Sequence, residues 1–175
     1  FLSFYSPKAE LARDKEYKGR GYFELISQPS FLQAVVSAAF AYAVMSFLMT
    51  ATPINMYVIE NYSLNKTGVV IQLHIVSMFL PSLITGNLLR KYRHSKIIYA
   101  GVFFFILTIL LSFLPPSFFN YLFSLVFLGI GWNFLYLSGT GLLVLSYREE
   151  EKFKAQGFND ILVFSTQALA SLSAG

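Results

Sequence analysis

Long uncharged stretches alternate with short charged ones along this chain. Residues 25–59 carry no Asp, Glu, Lys or Arg. Glu60 and Lys66 bracket a short polar break, and 67–89 is again uncharged. Residues 97–147 hold no charge and are interrupted by Pro115-Pro116, and no charge follows Asp160. A bilayer core about 30 Å thick takes roughly 20 apolar residues as helix. Backbone polar groups cannot stay unpaired in lipid, so such stretches must be helical. The pattern therefore predicts an all-α integral membrane chain with five transmembrane helices, at about 31–55, 68–89, 97–114, 119–146 and 158–175. The paired prolines separate the third span from the fourth, because proline lacks an N–H and the residue before it resists helix. Runs such as 102–111 do not alternate in polarity, as outer-membrane strands do.

Composition sharpens this picture. The 175 residues are 55% hydrophobic and 13% charged, about half the charge of an ordinary globular domain. That argues against a soluble enzyme, a disordered linker and a nucleic-acid module. The absence of Cys excludes disulfides, thiolate zinc sites and cysteine nucleophiles. Twelve of the 13 Lys/Arg fall in 1–30, 90–96 and 148–157, leaving Lys66 alone on the opposite side. Under the positive-inside rule this predicts a cytoplasmic N-terminus in a multi-pass protein of the cell membrane. Residues 1–28 read as a cytoplasmic lead-in and 29–175 as the transmembrane bundle. The lead-in is no signal peptide, since its first long apolar stretch lies beyond a charged segment. Apolar Phe1-Leu2-Ser3-Phe4-Tyr5 reads as the tail of a preceding span, and both ends read as cut from a longer protein.

Polar side chains at membrane depth face a bundle interior or a watery cavity. At about 1.5 Å rise per residue, Tyr42, Met78, Trp132, Asn133 and Gln167 fall near the bilayer centre. His74 lies in the outer half and Asp160 near the inner boundary. Tyr42, Ser46, Trp132, Asn133 and Gln167 are candidate cavity residues, with Gln72 and His74 next. For Asn133 and Gln167, ligand contact stands against an interhelical hydrogen bond, worth about 0.6 kcal/mol on average. Trp132 lines a cavity or packs. His74 relays protons or sits neutral on a neighbour's carbonyl. Asp160 follows the charged loop and reads as a cap of the fifth helix. Span 97–114, nearly free of polar groups, is expected to face lipid. Gly129, Gly131, Gly139 and Gly141 share one span, and Ala34, Ser37, Ala38 and Ala41 another. Small residues of this kind let membrane helices approach closely. Pro53 and Pro81 predict kinks in the first and second spans. Zinc-protease, serine-elbow and phosphate-loop patterns are absent, and Glu149 to Glu151 read as a solvated face. No catalytic residue, metal or cofactor is therefore expected, and the chain does not read as an enzyme.

The cytoplasmic lead-in, the cationic loop after the second span, the polar-poor third span and the Gly-rich fourth together resemble half of a major facilitator superfamily transporter. Gly86-Asn-Leu-Leu-Arg90-Lys91-Tyr-Arg93 resembles that family's Gly-x-x-x-Asp-Arg-x-Gly-Arg-Arg loop. It departs from it in having Arg90 where the acid belongs and Arg93 where the second glycine belongs. Met49-Thr-Ala-Thr-Pro-Ile-Asn-Met56, Val70-Ile-Gln-Leu-His74, Met78-Phe-Leu-Pro-Ser82, Leu128-Gly-Ile-Gly-Trp-Asn-Phe134 and Lys154-Ala-Gln-Gly-Phe-Asn-Asp160 are similar to an uncharacterised bacterial branch of the superfamily. The resemblance implies spans seven to eleven of twelve, most of the six-helix C-terminal bundle, with 1–28 as the central cytoplasmic loop. It implies that the first and fourth spans line a central cavity, and that Gly86, Arg90, Lys91 and Arg93 belong to a gating loop. The implied activity is secondary active transport of a small solute by alternating access, two bundles rocking around a midplane site. The implied partners are the solute, the lipid bilayer and the N-terminal bundle of the same protein, with no nucleic acid. Two other classes remain open from the residues alone: a membrane-embedded enzyme using His74, and a non-catalytic assembly or channel subunit.

Overall fold

The computed structural model describes residues 19–174. Residues 1–18 and Gly175 lie outside the described residues, and with them the reading of Phe1 to Tyr5. Among the described residues the fold is all-α, without strands. The helices are α1 (Tyr22–Ile26), α2 (Pro29–Ile54), α3 (Leu64–Phe79), α4 (Ser82–Lys91), α5 (His94–Ser112), α6 (Phe118–Val144) and α7 (Lys152–Ser173).

Each boundary has a local cause. Pro29 opens α2, where its missing N–H costs nothing. Pro53 removes a rung near the other end, and the ladder then widens into one π turn, Asn55–Ile59. Asn61, at φ 54°, turns the chain between the π turn and α3; asparagine tolerates this left-handed conformation. The Ser63 and Ser117 hydroxyls cap α3 and α6 by accepting from Lys66 N and Asn120 N. Pro81 divides the second span into α3 and α4.

Four helical units among the described residues are long and apolar enough to cross a membrane: Pro29–Ile59, Leu64–Lys91, His94–Ser112 and Phe118–Val144. The expected fifth span is also a helix, α7, and it begins earlier than expected, at Lys152. The polar residues of its first half keep it out of that apolar class.

Helix α6 is the central post, packing against α5, α2 and α3, while α7 packs on α2. Close approach depends on missing side chains. A Cβ on Gly101 would come 2.9 Å from the Gly131 carbonyl, so α5 and α6 meet nearly backbone to backbone. A Cβ on Gly129 would come 2.8 Å from the His74 carbonyl, locking α3 onto α6 in the same way. Ile97, Ile98, Gly101, Phe105 and Thr108 form the buried stripe of α5. Its other face exposes Phe103, Ile106, Ile109 and Leu110.

The loop between α6 and α7 corrects one expectation. Glu149 and Glu150 are solvated, but Glu151 is fully buried and carries an ion pair. Its Oε1 accepts from Arg20 N (2.7 Å) and Nε (2.9 Å), and its Oε2 from Arg20 Nη2 (2.7 Å) and Arg148 N (2.9 Å). Lys154 Nζ donates to the Arg20 carbonyl at 2.8 Å. The lead-in is thereby tied to the α6–α7 connection. The Arg20 guanidinium hydrogen-bonded to Glu151 is the main cause holding that carboxyl at about 2, against an ordinary 4.5.

Candidate functional site

Two strips of side chains near the expected bilayer centre carry the candidate chemistry. The first is aromatic. Trp132 and Tyr136 lie one turn apart on α6 and stack, with ring centroids 4.9 Å apart and planes at 21°. Tyr42 of α2 meets both edge-on, at 5.4 Å from Trp132 and 5.1 Å from Tyr136. Phe79, the last residue of α3, approaches Trp132 at 6.5 Å. Edge-to-face and offset geometries are those the ring quadrupoles favour. The indole Nε1 of Trp132 is buried and has no hydrogen-bond partner among the described residues.

The second strip continues along the same face of α2. Met45, Ser46, Met49 and Thr50 face Phe164, Gln167, Ala168 and Ser171 of α7 across a crevice of about 370 Å³. Tyr42, Met45, Ser46 and Met49 are spaced three and four apart, so they form one stripe. The Thr50 and Ser171 hydroxyls meet at 3.1 Å at one end of the crevice. Aromatic rings and a crevice offering hydroxyl, amide and thioether groups therefore adjoin on α2.

The other candidates separate from this pair. Asn133 points to α3 and α4 instead. Its Nδ2 donates to the Met78 carbonyl and to Ser82 Oγ, and its Oδ1 accepts from Thr85 Oγ1, all at 2.7 Å. The amide is spent across the α3–α4 break. His74 is fully buried between α3 and α6, its Nδ1 2.8 Å from the Leu125 carbonyl, which assigns Nδ1 as the protonated nitrogen. Gln72, two residues away, lies on the exposed face of α3. Asp160 is exposed on α7, where Asn159 Nδ2 donates to it at 3.2 Å. Gly86, Arg90, Lys91 and Arg93 are all exposed along the end of α4 and the turn to α5, some distance along the chain from both strips.

Comparison with known proteins adds a second line. The chain is 35% identical over 157 residues to the riboflavin transporter RfnT of Brucella anthropi, covering 90% of this chain and 39% of that protein. It is 32% identical over 152 residues to the uncharacterised MFS-type transporter YddS of Bacillus subtilis, covering 86% of this chain and 35% of the relative. It is 36% identical over 134 residues to the MFS-type transporter YdeG of the same organism, covering 75% and 31%. The chain belongs to the major facilitator superfamily.

Membership makes it part of a multi-pass membrane protein whose relatives are named as transporters. The chain spans between about a third and two-fifths of the length of these superfamily relatives. No protein-family profile matches the chain, and no solved structure does. One of these superfamily relatives carries a substrate in its name, so the branch to which the sequence is similar is not wholly uncharacterised. Reading polar residues by depth made Tyr42, Ser46, Trp132 and Gln167 candidates and left Tyr136 and Phe79 out, although both lie against Trp132. The spacing of Trp132 and Tyr136 was the available signal, since residues four apart on a helix share a face.

Proposed function

We propose that this chain is most of the C-terminal bundle of a secondary transporter that moves a small, uncharged aromatic solute by alternating access. The observation that carries the reading is the Tyr42–Trp132–Tyr136 cluster, with its unpartnered indole N–H, adjoining the hydroxyl and amide crevice of Ser46 and Gln167. A flat ring would stack on the aromatic side and a hydroxylated chain would lie along the crevice. Riboflavin, the substrate in the name of one relative, has both parts and is the first solute to test. The site lies at the midplane, where such transporters hold their cargo between two rocking halves. The N-terminal bundle of the same protein would supply the facing wall. The apolar groove between Phe40, Phe47, Ile109, Phe113 and Ala170, about 440 Å³, is the surface this reading assigns to a sixth span. The protein sits in the cell membrane with the lead-in on the cytoplasmic side, and the work it does is translocation rather than catalysis.

The test is riboflavin uptake by the full-length protein in liposomes. Trp132→Ala and Tyr42→Ala each remove a stacking surface, so KM is expected to rise about tenfold, equal to about 1.4 kcal/mol. Unchanged kinetics in both variants would remove the aromatic cluster from the solute path. Uptake of riboflavin no faster than through empty liposomes would remove the solute.

A further inference from the structure

The α3–α4 break is built in an unusual way. Pro81 has no N–H to offer the Ser77 carbonyl, one turn earlier. Beyond it the ladder tightens: Leu83 N donates to the Leu80 carbonyl at 3.2 Å and Ile84 N to the Pro81 carbonyl at 2.9 Å. The Met78 carbonyl is taken by a side chain from another helix, Asn133 Nδ2 at 2.7 Å. The same amide holds Ser82 and Thr85, the first turn of α4, so one residue of α6 grips both sides of the break. The two sides are held very differently otherwise. Helix α3 is locked onto α6 by the close approach at Gly129 and by the buried His74–Leu125 bond. Helix α4 touches α6 far less, and of its ten residues only Thr85 is buried. Trp132, beside Asn133 in the chain, reaches both Tyr42 and Phe79, the residue that ends α3.

We infer that Asn133 is a positioning residue: it sets the angle of α4 about Pro81, and solute stacked on Trp132 is sensed there through the adjoining backbone and Phe79. The break is a hinge, with α3 fixed and α4 the moving arm that carries Arg90 and Lys91 at its cytoplasmic end. Ser82 and Thr85 hydroxyls can exchange partners on the amide as α4 swings, so the arm moves without stranding a buried polar group. The inference rests on the transport reading for its kinetics but not for its geometry.

Three variants of the full-length protein in liposomes test it: Asn133→Leu, Pro81→Ala, and the two combined. Riboflavin is the transport probe, and spin labels at Asn87→Cys on α4 and Phe153→Cys on α7 report the arm. Asn133→Leu is expected to lower turnover about tenfold while KM stays within about twofold. Its melting temperature should fall, because the Met78 carbonyl loses its donor. Pro81→Ala in that background restores an N–H to residue 81 and lets α3 run straight into α4. The melting temperature should then recover while turnover does not; the wild type is expected to give two label-distance populations and the double variant one. A raised KM with turnover kept in Asn133→Leu would place Asn133 on the solute and overturn the inference. So would wild-type turnover in the double variant. Should wild-type protein fail to take up riboflavin, the solute assignment falls alone. The hinge is then decided by the labels, and identical distributions in wild type and Pro81→Ala overturn it.

Discussion

Glu151 accepts four hydrogen bonds while fully buried. Removing one member of a buried ion pair costs about 3–5 kcal/mol when the other is stranded. The Arg20 side chain keeps 25% of its exposure, so Glu151→Gln is expected near the low end of that range, read as a lower melting temperature in detergent. The acid limb gives a second reading. Folded Glu151 titrates at about 2, below its ordinary 4.5, so the folded state binds this proton more weakly than the unfolded one. Its stabilisation is complete above about pH 4.5 and is lost as pH falls toward 2. Wild-type melting temperature should therefore drop across that window, and Glu151→Gln should drop less; parallel curves would mean the pair contributes nothing. The sequence hid this residue. Three adjacent Glu in a cationic loop have the same local pattern whether one turns inward or not, and the partner lies 131 positions away. Asn133 was equally ambiguous: its depth was legible, but a buried amide serves a solute or a carbonyl according to what stands opposite.

Element boundaries were more legible, because charge and proline act locally. The uncharged stretches predicted α2, α5 and α6 to within a few residues, and Pro81 marked the place where α3 gives way to α4. Two things escaped. The lead-in contains the short helix α1, and α7 starts inside the charged loop, since a 3₁₀ turn at Glu149–Glu151 delivers the chain directly into a helix. Hydropathy marks where a helix meets lipid, not where it begins. The glycines were legible as contact points but not as to which helix each admits. Gly129 admits α3, and the missing side chain is what brings the His74 carbonyl within reach. Gly129→Val places two further methyls in a gap that a Cβ alone overfills, and overpacking of this kind costs about 1–3 kcal/mol. The expected result is a lower melting temperature with α3 displaced from α6. A cysteine pair at Val70 and Leu125, positions buried in the same core, should cross-link less readily in the variant. Unchanged cross-linking and stability would mean that the two helices are held apart from Gly129 by other contacts.

At the scale of the molecule, the asymmetry of charge and the placement of the helices point the same way. Lys66 opens α3 at one end of the bundle, while Lys91 closes α4 and Lys152 opens α7 at the other. α3 and α4 together are long and apolar enough to cross the bilayer; as one spanning unit they would bring Lys66 and Lys91 out on opposite sides. Cations are retained on the cytoplasmic side because translocating them is costly during insertion, so the proposed orientation expects Lys91 and Lys152 inside and Lys66 outside. All three are accessible in the fold, so an impermeant amine reagent can tell the sides apart without unfolding anything. With the full-length protein in intact cells, Lys66 is expected to be labelled, and Lys91 and Lys152 only after the membrane is permeabilised, as read by mass spectrometry of the modified peptides. The reverse pattern would invert the bundle and send the α4 arm to the external face. Labelling of Lys66 and Lys91 together in intact cells would mean that α3 and α4 do not cross the membrane as one unit, and the midplane position of Trp132 would go with it.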